Sequence, residues 1–240
     1  MCNVKFNKLI VGGLLFLIAV AMIIYGLFYL NPTKQTTDSH QESEVIEADY
    51  FPQLSSEIEK TEIGADLTTS MGIISIKLFP KFAPKAVENF VELSKEGYYD
   101  GTIFHRVIQD FMIQGGDPEG TGLGGESIWK KPFEVEVSDH LYHIRGALSM
   151  AKTNAPISIG SQFFIVQNQQ DMSHSVSEAT PNEIVKTYKK GGYPSLDGSY
   201  TIFGQVVEGM DVVDKIAASE TNGNDLPTTP VTIESIEIQN

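Results

Sequence analysis

The sequence predicts a mainly β domain, a closed antiparallel barrel capped by two helices, preceded by one transmembrane helix. Three observations predict it. Short runs of alternating apolar and polar residues recur between Ala65 and Ile238, as on strands whose side chains point to opposite faces in turn. Two longer stretches instead carry a single apolar stripe at helical spacing. Leu9–Leu30 is a run of 22 residues without a charge, long enough to cross the ~30 Å hydrocarbon core of a bilayer as one helix. Many short strands with two main helices suit a barrel whose openings the helices cover.

The anchor comes first. Lys5 and Lys8 precede the apolar run and no basic residue follows until Lys34. Positive charge stays inside, so residues 1–30 read as a membrane anchor with a cytoplasmic N-terminus and an extracellular domain. A cleaved signal peptide is the competing reading. Its one clear site, Ala19-Val20-Ala21, lies within the apolar run, and cleavage there would leave Met22–Leu30 as an exposed apolar tail. Cys2 is the only cysteine. It precedes the run, which excludes a lipoprotein; acylation as a juxtamembrane thiol is open to it, but an unmodified N-terminal cysteine is the preferred reading. The outer domain therefore has no disulfide and relies on its core alone. All 31 acidic residues but only 15 of the 17 basic ones follow Leu30, a formal charge of −16 beyond the anchor. That disfavours nucleic acid, whose affinity requires neutralised phosphates, and suits solubility on a crowded surface.

Residues 31–60 are polar and acidic and read as a flexible stalk. At ~5–6 Å × √n such a segment reaches about 30 Å, so the domain, residues 61–240, would sit just off the membrane. Ala65–Thr69 and Gly72–Phe79 alternate around Ser70-Met71-Gly72 as a hairpin, which Pro80 ends. A helix follows, with Pro84 in its first turn, Ala86, Val87, Phe90 and Leu93 on its stripe, and Gly97 as its stop. Asp117–Gly125 lacks the Gly-Lys-Ser/Thr end of a phosphate loop and reads as an irregular loop. Trp129 and Phe133 return to the core. Glu134–Val137, Gly146–Met150, Ser161–Val166, Tyr200–Val207 and Val231–Ile238 read as strands. Ser173–Gly192 reads as an insertion. It holds a short surface helix started by a capping box at Thr180–Glu183 with Pro181 at its first position. Met210–Ser219 is the second main helix, with Val212, Val213 and Ile216 inward.

The chemistry gathers in Phe104–Gly116, FHRVIQDFMIQGG. Alternation sets Phe104 and Arg106 on one face and turns His105 to the other. After a break at Gln109-Asp110, Met112 and Gln114 share a face. A guanidinium, a thioether and a carboxamide on one small surface suit a pocket that holds an apolar group and donates hydrogen bonds. A half-buried strand pair with a snorkelling arginine is the plainer alternative. His105 reads as a hydrogen-bonded structural histidine rather than a general base. No Gly-x-Ser-x-Gly elbow suggests a hydrolase. His140 and His143 lack a carboxylate at metal spacing, so neither metal nor cofactor is expected.

Four ordered blocks then carry a resemblance. Tyr99–Arg106 with Phe111–Gly116, Ala147–Ala151 with Gly160–Ile165, Leu196–Gly204, and Val207–Met210 resemble the cyclophilin signature, over roughly Ile63 to Asn240. The resemblance implies an eight-stranded barrel and prolyl cis/trans isomerisation without cofactor. It implies Arg106 as the catalytic residue and Phe111, Met112, Phe164 and Leu196 as a proline pocket, positions that spacing alone would leave as core. Gln114 matches the residue that bonds the substrate carbonyl, with Gln162 near it. Ala151 matches a position that lets the peptide backbone approach, and Tyr200 stands in place of a pocket histidine. Ser195 replaces a tryptophan at the pocket rim, and Lys152 replaces an asparagine. The expected partners are proline-containing polypeptides, with the membrane as anchor and the chain a monomer. A proline-peptide-binding or chaperone module with little turnover is the alternative, and a surface adhesin a weaker one.

Overall fold

The computed structural model describes residues 50–239. The expected transmembrane helix and residues 31–49 of the expected stalk lie outside them. Among the described residues no helix is long and apolar enough to cross a membrane.

Ten strands form: β1 (Ile63–Thr69), β2 (Gly72–Leu78), β3 (Arg106–Ile108), β4 (Met112–Gly115), β5 (Phe133–Glu134), β6 (Ala147–Met150), β7 (Ile157–Ile159), β8 (Phe163–Val166), β9 (Ile202–Glu208) and β10 (Ile233–Gln239). Eight make one antiparallel sheet in the order β10-β1-β2-β9-β6-β8-β4-β3, and β5 pairs with β7 apart from it. The β1–β2 hairpin turns where expected, with Gly72 at φ 135°. The strand expected over Glu134–Val137 shrinks to β5. Its partner β7, only three residues long, is too short to show a period.

The expectation of a closed barrel needs correction. The sheet curls into a half-barrel whose edges, β3 and β10, do not pair as strands. One isolated bridge, Ile103 to Thr232, and backbone bonds between residues 101–104 and 231–233 span the seam. The reason is local. The chain turns at Gly101, φ 78°, and β3 begins only at Arg106, leaving too few extended residues for a ladder.

Two helices pack on this sheet as the stripes predict. Helix α1 (Pro84–Lys95) buries Ala86, Val87, Phe90, Val91 and Leu93. Helix α3 (Met210–Ala217) buries Val212, Val213, Ile216 and Ala217. Both faces meet the inward residues of the sheet in one core. Phe90 sits at its centre, with ring centroids 5.3 Å from Tyr99, 5.4 Å from Phe163 and 5.2 Å from Phe203.

The insertion helix, α2 (Asn182–Tyr188), differs from its expectation twice. Pro181 is the N-cap, with extended ψ of 143°, and no side chain caps the helix. An extended proline there starts the helix one residue late and leaves Thr180 outside any capping box. Nor is α2 confined to the surface: Ile184 and Tyr188 are fully buried with Phe51 and Ile144 in a small separate core. Phe51 thereby docks the start of the described chain. Beside it Gln53 mimics a strand, donating to the Tyr142 carbonyl at 2.9 Å and accepting from the Tyr142 N–H at 2.7 Å.

Candidate active site

Strand register builds the site. Arg106 on β3 lies opposite Gln114 on β4, and Gln114 opposite Phe164 on β8. Directly opposed residues share a face, so guanidinium, carboxamide and phenyl ring stand in one row. Met112 lies two residues along the same face of β4. Asp110, at φ 58° in the β3–β4 turn, donates its N–H to the Gln167 side-chain oxygen at 2.9 Å, which holds that turn.

Loops complete what the strands begin. Phe111 leaves the β3–β4 turn and packs on Tyr193, ring centroids 4.4 Å apart. Leu196 ends a single helical turn at Pro194–Leu196, and Tyr200 follows it. Ala151 follows β6, its N–H bonded to the Gln162 carbonyl at 2.9 Å. Together Arg106, Phe111, Met112, Gln114, Ala151, Phe164, Leu196 and Tyr200 line one hollow of about 120 Å³, with Lys152. Gln162 lies outside it, lining a neighbouring hollow of about 240 Å³. It touches the first through Gln114, whose Nε2 donates to its Oε1 at 2.9 Å. Ser195 is exposed on the turn before Leu196.

The apolar wall belongs to a cluster of its own. Phe79, Met112, Leu141, Ala147, Phe164, Val166 and Ile202 are buried together, and Phe111, Leu196 and Tyr200 pack on them half-exposed. Behind this wall His143 stacks on Phe164 and meets Tyr200 edge-on. Its Nδ1 lies 2.9 Å from Asp197 Oδ1, and its Nε2 lies 3.2 Å from the Ser149 hydroxyl. Tyr188 donates its hydroxyl to the other Asp197 oxygen at 2.6 Å. A buried network thus ties the insertion helix to the loop that carries Leu196. Burial pushes the His143 imidazole below its ordinary value of 6.5, against the pull of Asp197.

Arg106 is one of the two cations lining the hollow, with Lys152, and its side chain is 42% exposed. Its Nε lies 3.5 Å from the Asp225 carboxylate, and among the described residues its terminal nitrogens have no partner. Asp225 was not foreseen. It sits at φ 60°, a conformation Asp tolerates better than most residues, in a loop folded around Asn222. Its carbonyl accepts the Val107 N–H at 2.8 Å, which fixes the loop one residue from Arg106. No periodicity signals such a contact.

Asp117 was also missed. It is fully buried, and its carboxylate accepts the N–H groups of Glu119, Thr121, Gly122 and Gly124 at 2.6 to 3.2 Å. Burial alone would raise its pKa, but these donors outweigh it and hold the carboxyl below its ordinary value. The glycine-rich loop is thus wound around one anion. A Cβ on Gly124 would come within 2.4 Å of that carboxylate. Gln162 joins this loop to the hollow by donating to the Gly124 carbonyl at 2.8 Å.

His105 is buried, but neither ring nitrogen finds a hydrogen-bond partner. The expectation of a bonded histidine therefore holds for burial and fails for bonding. Among the described residues no cluster of His, Cys, Asp or Glu could hold a metal ion.

The family profile described as cyclophilin type peptidyl-prolyl cis-trans isomerase/CLD matches residues 65–238. A Staphylococcus epidermidis protein bearing the peptidyl-prolyl cis-trans isomerase name is 48% identical over 194 residues, covering 79% of this chain and 98% of that protein. One from Staphylococcus saprophyticus is 49% identical over 193 residues, with 78% and 98% covered. Among solved structures, a Cryptosporidium parvum cyclophilin type isomerase superposes with a TM-score of 0.63 at 35% identity, over 75% of this chain and 98% of that one. The same protein, solved in the presence of the dipeptide Ala-Pro, gives 0.62 over 74% and 99%. The chain belongs to the cyclophilin-type peptidyl-prolyl cis-trans isomerase family, whose reaction is rotation about the X-Pro peptide bond.

Proposed function

We propose that the hollow seats the substrate proline and that Arg106 lowers the barrier to its rotation. That barrier, ~18–20 kcal/mol, comes from amide resonance, and uncatalysed X-Pro exchange takes tens to hundreds of seconds. No bond is made or broken, so the site needs no nucleophile. It needs a donor that favours the twisted amide, whose nitrogen regains its lone pair, over the planar one. A permanently charged guanidinium at the edge of an apolar hollow is such a donor, fixed in place before the substrate arrives. The observation that carries this reading is the position of Arg106 beside Phe111, Met112 and Phe164, its terminal nitrogens without partners among the described residues. Gln114 and the chain at Ala151 would hold the peptide backbone across the hollow.

The clients in this proposal are proline-containing segments of exported or surface proteins. Leu9–Leu30 would anchor the chain with its N-terminus in the cytoplasm and residues 61–240 outside. Loss of the domain when intact cells are treated with protease would support that orientation, and full protection would oppose it.

Arg106→Ala tests the mechanism. With one preorganised electrostatic donor gone, kcat/KM on a proline peptide should fall about 10²–10³-fold, with the melting temperature unchanged. A variant that keeps the full rate would refute the assigned role. Wild-type chain that binds proline peptides without accelerating them would favour the binding-module alternative.

A further inference from the structure

A second cation lines the hollow, and no carboxylate of the described chain lies within ion-pair distance of it. Lys152 follows Ala151 at the end of β6, and its ammonium sits 4.7 Å from the centre of the Tyr200 ring. A cation over an aromatic face is held by the ring's quadrupole. Arg106, Lys77, Arg145 and Lys85 each have a carboxylate within 4.0 Å. Lys152 lacks one among the described residues, although the chain carries 31 acidic residues against 17 basic. Lys152 also stands at a junction. It lines the hollow assigned to proline and the neighbouring one of about 240 Å³, which runs between Gly122–Gly125 and residues 153–162. Only Gln114 and Ala151 are likewise common to both.

We infer that Lys152 makes the site selective for proline segments with an acidic side chain within two residues of the proline, and disfavours those with a basic one. The inference rests on the reading that the first hollow takes the proline. A peptide crossing from one hollow to the other passes the ammonium, so a side chain near the proline comes within reach of it. Holding the ammonium on Tyr200 reduces the freedom lost when a carboxylate arrives. The alternative is that the lysine stem merely covers the Tyr200 ring. The chain's overall negative charge works against acidic peptides at long range, but salt screens that field beyond about 10 Å. The local preference is therefore read from substitutions at Lys152, not from one rate.

The experiment uses the full-length chain and peptides with Glu, Gln or Lys at each position within two residues of one proline, before and after it. Isomerisation is followed by NMR exchange. At about 0.1 M salt, where the long-range field is screened, the wild-type ratio of kcat/KM for Glu over Lys should be about two- to fivefold at one or more of these positions, and should shrink as salt rises further. Lys152→Met keeps the apolar stem and should bring that ratio close to unity. Lys152→Arg should retain it, and Lys152→Glu should invert it. An unchanged ratio across wild type, Lys152→Met and Lys152→Glu would overturn the inference while leaving the isomerase reading intact. Failure to accelerate even the Gln peptides would overturn the reading of the hollow itself, and this inference with it.

Discussion

Strands β4 and β8 serve two cores at once, and the cores behave differently. On one face Ile113, Phe163 and Ile165 are fully buried in the main core with Phe90 and Phe203. On the other face Met112, Phe164 and Val166 are just as well buried at their bases, but the residues packed over them come from loops. The first core is covered by two helices whose stripes interdigitate with the sheet, and it closes. The second is covered by Phe111, Leu196 and Tyr200, each partly exposed, and a hollow remains between them. Regular elements can approach along their whole length. Loops meet only at points, and the space between those points can accept a ligand. The pleat that alternates side chains thus separates stability from binding within the same residues.

The comparison can be broken from either side. Phe90→Ala should have the largest effect on stability, about 3–5 kcal/mol, because the ring is fully enclosed by three aromatics and leaves a cavity. Urea denaturation should show this loss, while kcat/KM below the transition stays near the wild-type value. Arg106→Ala is its mirror image, with activity lost and stability kept. An outcome in which both variants lose both properties would mean that the two cores are energetically one.

An intermediate effect concerns the support behind the hollow. His143 is buried with its pKa lowered by desolvation, so the folded state favours the neutral ring. The unfolded ring takes its proton near 6.5 and the folded one only at lower pH. Stability is therefore full above about 6.5 and falls as pH drops towards the folded value, by at most about 1.4 kcal/mol per pH unit for one proton. His105 is shifted the same way, burial being its main cause. Asp117, and Asp214 on α3, which accepts from the Arg145 guanidinium and the Gln167 amide, have their carboxyls held below 3.8 and act only in more acid solution. Urea midpoints measured between about pH 7 and 5 should decline for wild type and decline less for His143→Asn. Equal slopes would mean that the imidazole does not titrate with folding.

The smallest expected effect is at Asp225. Asparagine tolerates the same left-handed backbone, so Asp225→Asn keeps the loop and removes only the charge beside Arg106 Nε. A fall of about two- to fivefold should appear in kcat rather than KM, in keeping with a half-exposed ion pair. An unchanged kcat would show that Arg106 needs no partner to hold its direction.

Much of this was legible in advance, and the parts that were not share a cause. The hairpin, α1, α3 and most strands followed from period and punctuation, which depend on residues a few positions apart. Nine site residues came from the resemblance, and the fold brings eight of them around one hollow. Gln162 stands one hydrogen bond away. Asp117 was hidden because its partners are backbone N–H groups, which every residue carries. Asp225 was hidden because it reaches Arg106 across more than a hundred residues of sequence. The attachment of Phe51 and Gln53 was hidden for the same reason: Gln53 pairs with Tyr142, 89 positions away. In the insertion, the correct helix came with the wrong start and the wrong surroundings, because the capping pattern is local and burial is not.

The sequence by itself determined the order of the elements, the apolar faces of α1 and α3, and the row of chemical groups along β3 and β4. Each of these is set by the pitch of a helix or the pleat of a strand acting on neighbouring residues. Only the tertiary structure decided that the sheet would stop short of closing, that Asp117 would gather the glycine-rich loop, and that Arg106 would face Asp225 while Lys152 faces a ring. Those outcomes depend on which distant segments meet when the core packs, and on which buried charges then find donors.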